Sequence, residues 1–231
     1  EQLMIHQSRL ASMGEMVANI AHQWRQPLTH LSYAHMNLKT AYDQEKLSSE
    51  YFNKKTEEIN DQIEFMSHTI DDFSNFFKSD KKSQRFGILN TVENTHRLLR
   101  ASFKHSGITI DIHCTNELFI NSYENEFSQV IFNLLNNAKQ ELIEKKIESP
   151  RIIVEIIEQR KVILLKISDN AMGIDGKIIE KIFEPYFTTK DSGMGIGLYM
   201  SKVIIEEHMK GELSVENIPN GVAFEISLPK A

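Results

Sequence analysis

Gln129-Val130-Ile131-Phe132-Asn133-Leu134-Leu135-Asn136-Asn137-Ala138 is the stretch whose reading decides the fold. It lies inside a helical run from Glu126 to Lys146, in which Phe127, Val130, Ile131, Leu134 and Ala138 recur at three- and four-residue spacing and predict one buried face. Asn133 and Asn137 stack at i and i+4 along one edge of that face. Amide oxygens there can complete a magnesium shell without adding the charge of a carboxylate; a polar helix flank is the plainer reading of the same pair. Outward from this helix the periods mix. A helix is expected at Leu89 to Lys104 and a strand at Ile108 to His113, where Ile108, Ile110 and Ile112 alternate. Downstream, Arg151 to Glu158 and Lys161 to Ser168 read as a strand hairpin joined around Gln159-Arg160. A glycine-rich loop then leads into a helix at Leu198 to His208, and strands at Glu212 to Asn217 and Val222 to Leu228 flank a Pro219-Asn220-Gly221 turn. Strands and helices interleave without strict βαβ alternation, which predicts a mixed sheet with helices on one face.

The first third reads differently. From Leu3 to about Asp80 apolar residues repeat every seven positions: Leu10, Val17, Trp24, Leu31 and Leu38 form one seam, and Met13, Ile20, Pro27, Ala34 and Ala41 the next. After a polar break at Asp43 to Glu50, Phe52, Ile59, Met66 and Phe73 alternate with Ile63, Ile70 and Phe77 at the same period. Two amphipathic helices joined by a short loop form a hairpin whose apolar stripe is half exposed, and pairing into a dimeric four-helix bundle covers it. The expected organisation is therefore α+β: a helical hairpin over residues 1–80, a linker over 81–86, and an α/β sandwich over 87–231.

Composition bounds the function. At 231 residues, 41% hydrophobic and 25% charged, the chain resembles an ordinary globular protein. Its formal charge of -6 argues against nucleic acid as a partner and against direct contact with an anionic membrane. A lone cysteine, Cys114, cannot form an internal disulfide, which fits a reducing cytoplasm. No apolar run approaches the length of a membrane span, and the chain opens inside a helix, so it reads as the cytoplasmic piece of a longer protein, with a membrane anchor elsewhere left open.

Two further constellations carry chemistry. Asp169-Asn170-Ala171-Met172-Gly173 follows a strongly apolar strand. A carboxylate at a strand end can accept a hydrogen bond from an adenine amino group, and Gly173 lets backbone come close; a simple turn is the alternative. Gly193-Met194-Gly195-Ile196-Gly197 runs straight into a helix, whose first N–H groups and dipole favour phosphate. The spacing fits neither the Walker loop nor the dinucleotide fingerprint, and a lid hinge is the bland reading. Just before it, Phe183-Glu184-Pro185-Tyr186-Phe187-Thr188-Thr189-Lys190 reads as an aromatic-anchored lid whose Lys190 meets the phosphates.

On the first helix the heptad puts His22 at f, almost opposite the apolar seam, where a neutral imidazole is nucleophilic near pH 7. Pro27, five residues on, breaks a local rule of helices, as functional sites tend to do. Ile20-Ala21-His22-Gln23-Trp24-Arg25-Gln26-Pro27-Leu28 resembles the phosphoacceptor box of sensor histidine kinases, and the three downstream constellations together resemble the N, G1, F and G2 boxes of the GHKL (Bergerat) ATP-binding fold shared by gyrase, the heat-shock chaperone and histidine kinases. The resemblance covers nearly the whole chain. It implies ATP and Mg2+ as cofactors, with Asn137 as metal ligand, Asp169 on adenine, and Asn133, Gly173, Lys190, Gly193, Gly195 and Gly197 completing the nucleotide site. It further implies a homodimer that phosphorylates His22 and passes the phosphoryl group to an aspartate of a response-regulator receiver domain. Hydrolytic members of the fold carry a glutamate where this chain has Asn133, and an amide cannot act as general base.

The chain departs from the pattern at two points. Gln23 stands where the family usually has an acid; it can orient the ring of His22 but cannot take a proton, so slow autophosphorylation, or a base borrowed from elsewhere, is expected. Ala171 replaces the first glycine of the G1 box. Gln26 occupies the position that the family links to phosphatase activity, where an amide orients water toward an acyl phosphate.

Overall fold

The computed structural model describes residues 2–76, 82–190 and 195–230; the side chains of His22, Gln23 and many other residues near the start of the first helix and the end of the second lie outside the description. The heptad segment folds as two helices, α1 (Gln2–Asp43) and α2 (Ser49–Phe76), with Pro27 inside a continuous α1. The turn between them is short because Glu45 takes a left-handed conformation and the Lys46 N–H returns to the Ala41 carbonyl. Ser48 starts α2, its hydroxyl accepting from the Tyr51 N–H at 3.1 Å. Pro27 and Ala34 of the second seam are buried, whereas Leu10, Val17, Phe52, Ile63 and Ile70 of the predicted seams stay exposed on a single chain.

The rest of the chain is β1 (Gln84–Gly87), α3 (Ile88–His105), β2 (Thr109–Cys114), β3 (Phe119–Ser122), α4 (Glu124–Glu144), β4 (Arg151–Glu158), β5 (Val162–Asp169), α5 (Gly197–Val203), β6 (Glu212–Ile218) and β7 (Gly221–Pro229). Five strands form a sheet in the order β2-β4-β5-β7-β6, with β2 and β4 parallel and the other pairs antiparallel. Alternation explains the layering: Ile152, Val154 and Ile156 of β4 and Ile163, Leu165 and Ile167 of β5 are buried. They join one core with Phe127, Val130, Ile131, Leu134 and Ala138 of α4 and Val92, Leu99 and Phe103 of α3. This is the expected mixed sheet beneath helices.

Two details differ from the sequence reading. Gln84, Arg85 and Phe86, expected as linker, belong to β1, which pairs antiparallel with β3 in a small separate ribbon. Phe86 is buried against Phe127 with ring centroids 5.8 Å apart, and Arg85 lies over the Phe119 ring at 4.5 Å. The last helix, expected as one piece, widens after Val203 into a π-helical turn over Ile204–His208, closed by the Met209 N–H on the Ile204 carbonyl. Through α1 the hairpin touches both α3 and α5.

Candidate functional site

A cavity of about 390 Å³, within the range of small-molecule sites, opens between α4, the end of β5 and the segment leading into α5. Asn133, Asn137, Asp169, Gly173, Lys190, Gly195 and Gly197 all line it, although they are spread over 65 positions from 133 to 197. Gly193 lies outside the described residues, as do the side chains of His22 and Gln23; Gln26 is described and exposed on α1, away from this cavity.

Each wall follows from local structure. Helix α4 buries its apolar stripe, and this turns Asn133 and Asn137 toward the cavity. The Asn133 amide reaches the first turn of α5, donating at 3.4 Å to the Gly197 carbonyl and the Ser201 hydroxyl. Asp169 ends β5 and is largely buried. Burial pushes its carboxyl above the ordinary value of 3.8, an effect opposed by the Ala171 N–H bonded to it at 2.8 Å and by the Lys145 ammonium, and reinforced by Glu141. After Asp169 the chain turns through two left-handed residues, Met172 (φ 63) and Gly173 (φ 81). Asn217 of β6 braces the turn, its Oδ1 accepting from the Ile174 N–H and its amide donating to the Ile174 carbonyl, both at 2.8 Å.

On the opposite rim Gly195 is held at φ 65, and a Cβ there would lie 2.5 Å from the carbonyl carbon of Tyr186 and 2.6 Å from the carbonyl oxygen of Phe187. Glycine is therefore required at the point where the lid and the loop before α5 touch. Gly197 differs: its φ is ordinary, and a Cβ would meet only Asn133 at 3.8 Å. Lys190 at the lid tip donates to Gln140 Oε1 at 2.7 Å and pairs with Glu141 at 3.4 Å, so its ammonium is tied to the helix turn after Asn137.

The residues that the sequence reading missed are Gln140, Glu141, Lys145, Ser201 and Asn217. Gln140 and Glu141 directly follow the Asn-rich stretch, and their proximity to Asn137 was a usable signal. Asn217, 43 positions from its partner Ile174, had none.

A sequence profile described as "Histidine kinase-, DNA gyrase B-, and HSP90-like ATPase" matches residues 122–231, the segment that builds every wall of the cavity. Residues 122–231 thus match the domain of this family. Its kinase branch is the one to which the whole chain is similar: 29% identity over 237 residues, covering 100% of this chain and 26% of the relative, to the two-component sensor PprA of Pseudomonas aeruginosa. The signal transduction histidine-protein kinase AtoS of Escherichia coli is 31% identical over 99% of this chain and 37% of its own length. This chain thus spans between a quarter and two fifths of these two relatives. The solved catalytic domain of the histidine kinase ThkA superposes with a TM-score of 0.59 at 28% identity, covering 64% of this chain and 96% of that one. A ThkA structure in complex with the response regulator protein TrrA covers 100% of this chain and 67% of its own at a TM-score of 0.57 and 23% identity, a likeness of fold that includes the helical hairpin. The chain is thus a histidine-kinase type of ATPase fold carrying a hairpin in front of it. Among the described residues, no helix is long and apolar enough to cross a membrane.

Proposed function

We propose that the chain binds ATP in this cavity, moves the γ-phosphoryl group to His22, and hands it on to an aspartate of a response-regulator receiver domain. The observation that carries the reading is the meeting, in one cavity of nucleotide size, of two helix amides, a buried strand-end carboxylate, a lid lysine and a glycine loop opening a helix. Asp169 would accept from the adenine amino group, with Gly173 and the turn beside it leaving room for the ring. Gly195, Gly197 and the first N–H groups of α5, together with the segment around Gly193, would curve around the phosphates, with Lys190 leaving Gln140 to meet them. Asn133 would hold α5 at its distance from α4.

No group of three or more His, Cys, Asp or Glu side chains able to hold a metal occurs among the described residues. One amide oxygen in a cavity fits Mg2+, which binds few protein ligands and takes its remaining oxygens from phosphates and water. Asn137 is the residue that would hold it, and bound there it would neutralise charge on the β- and γ-phosphates. In the transfer an imidazole nitrogen of His22 forms the bond to phosphorus, the β–γ bridging bond breaks, and ADP leaves. In the sequence the positions one turn from His22 on its face hold Asn19, Arg25 and Gln26 and no carboxylate, so the imidazole proton would pass to water or to a base from elsewhere, with Gln23 orienting the ring. Gln26, exposed on α1, would orient water for hydrolysis of the regulator's acyl phosphate.

Two copies would pair through the hairpin, because Val17, Leu28, Phe52, Ile63 and Ile70 remain exposed on one chain and a second hairpin would cover them. The similarity to sensor kinases and the single cysteine favour action in the cytoplasm, on no nucleic acid. Incubation with γ-labelled ATP and Mg2+, for wild type and His22→Ala, tests the reading. Acid-labile, base-stable label that vanishes in the variant is the expected result. ATP binding without label in either protein would reduce the chain to a nucleotide-binding module, and acid-stable label would place the phosphate on a hydroxyl.

A further inference from the structure

Lys145 is the C-cap residue of α4 and carries no part of the motifs read from the sequence, yet its ammonium reaches across to the turn that follows β5. It donates to the Ala171 carbonyl at 2.7 Å and to the Gly173 carbonyl at 3.0 Å, so one cation closes the turn on both sides of the left-handed Met172. Its third partner is Glu141 at 3.3 Å, one helical turn back. Glu141 uses its other oxygen for Lys190 of the lid, at 3.4 Å. A single carboxylate therefore stands between the lysine of the adenine-side turn and the lysine of the phosphate-side lid. The charged groups whose fields reach Asp169 are Lys145 and Glu141, both from α4, with opposite effects, and its remaining contacts are the N–H groups of Ala171 and Val222.

We propose that Lys145 is a positioning residue for nucleotide recognition, clasping the Ala171 and Gly173 carbonyls so that the turn presents Asp169 to the base and keeping a positive charge beside that carboxylate. The idea rests on the assignment of the cavity to ATP. Lys145 does not touch the reacting phosphates; it acts through the turn and through Asp169. Without it, the two carbonyls lose a charged donor and the turn loosens on its α4 side, with Asn217 and the Met172 N–H bond to the Asn220 carbonyl still holding the other. The opposing charge of Glu141 is then uncompensated, and the Asp169 carboxyl moves further upward.

The test compares Lys145→Met and Lys145→Arg with the whole wild-type chain. ATP and adenosine affinity are measured by calorimetry between pH 5 and 8, and histidine labelling is followed with varied ATP. Lys145→Met should bind ATP and adenosine about tenfold more weakly at pH 7, the order expected for losing a charged hydrogen-bond donor. It should raise KM with kcat little changed, and shift the low-pH loss of affinity to higher pH. Lys145→Arg, whose guanidinium can bridge two carbonyls, should recover most of the affinity. A merely structural lysine would lower the melting temperature but leave the pH limb in place. Unchanged affinity and an unmoved limb in Lys145→Met, with wild type binding normally, would overturn this proposal alone; a wild type that binds no ATP would overturn the assignment of the cavity on which it stands.

Discussion

Gly195→Ala is the substitution whose consequence can be worked furthest from geometry. The residue sits at φ 65, where an L side chain costs about 1–2 kcal/mol. The new Cβ would also lie 2.5 Å from the carbonyl carbon of Tyr186 and 2.6 Å from the carbonyl oxygen of Phe187, both backbone atoms with no rotamer to escape into. That is roughly an ångström inside a comfortable contact, so the loop must part from the lid. In the empty protein the loop can relax away from the strain. Around bound phosphates it must return, and the strain is subtracted from the binding energy. A floor of about 2 kcal/mol corresponds to roughly 30-fold weaker ATP binding. Gly176→Ala is the control: it does not line the cavity, and a Cβ there meets nothing within 4 Å. Affinity within about threefold of wild type is expected there. Calorimetric titration of both variants, with circular dichroism to confirm folding, decides the matter. Equal losses in the two, or a Gly195→Ala variant that binds like wild type, would refute the claim that the lid contact shapes the phosphate site.

Three further outcomes are expected. Gln23→Glu supplies a carboxylate beside His22 and should raise the initial rate of label uptake by about tenfold or more; an unchanged rate would show that proton removal is not limiting. Glu117→Ala removes the carboxylate that accepts from the Leu89 and Asn90 N–H groups at 2.9 and 3.2 Å, and should destabilise the ATP-binding half by about 1–2 kcal/mol in urea titration. A loss below a few tenths would mean that water caps α3 equally well. Asp169→Asn tests the buried carboxyl through pH. Because burial raises its pKa above 3.8, the native state holds that proton more firmly than the unfolded chain does, so this group's contribution to stability falls as pH rises through the window from 3.8 to the raised value. Wild type should therefore lose stability relative to Asp169→Asn across that window and run parallel to it above, as urea titrations at a series of pH values would show. A pH-independent difference would contradict the assigned shift.

What was legible in the sequence were features written in short-range periodicity. The seven-residue repeat located α1 and α2, the stripe through Phe127 and Leu134 located α4, and the β-branched runs located β4 and β5 to within about two residues. That Asn137, Asp169 and Gly195 line one cavity was foreshadowed too, because each sits where an element ends or turns a known face inward. Contacts made at long range were not legible. β1 and β3 are four residues each, too short for an alternation to register, and they exist only because they pair with one another and bury Phe86 and Ile120. Helix α3 starts after a glycine with no capping side chain of its own, and the cap comes from Glu117, 28 positions away. Nothing in the sequence marks Lys145, and only the fold brings it to the turn after Asp169.

The strand β1 also has a metric consequence. By drawing Gln84 into the ribbon it leaves only residues 77–83 between Phe76 of α2 and the ATP-binding half. Covalent geometry limits such a connection to about 29 Å when fully drawn out. A cavity tethered within that radius is presented to the hairpin at an effective concentration on the order of 10 mM. Bound ATP would then meet a histidine of its own assembly far more often than one in free solution, and the rate of labelling per molecule would be indifferent to dilution until the assembly itself comes apart.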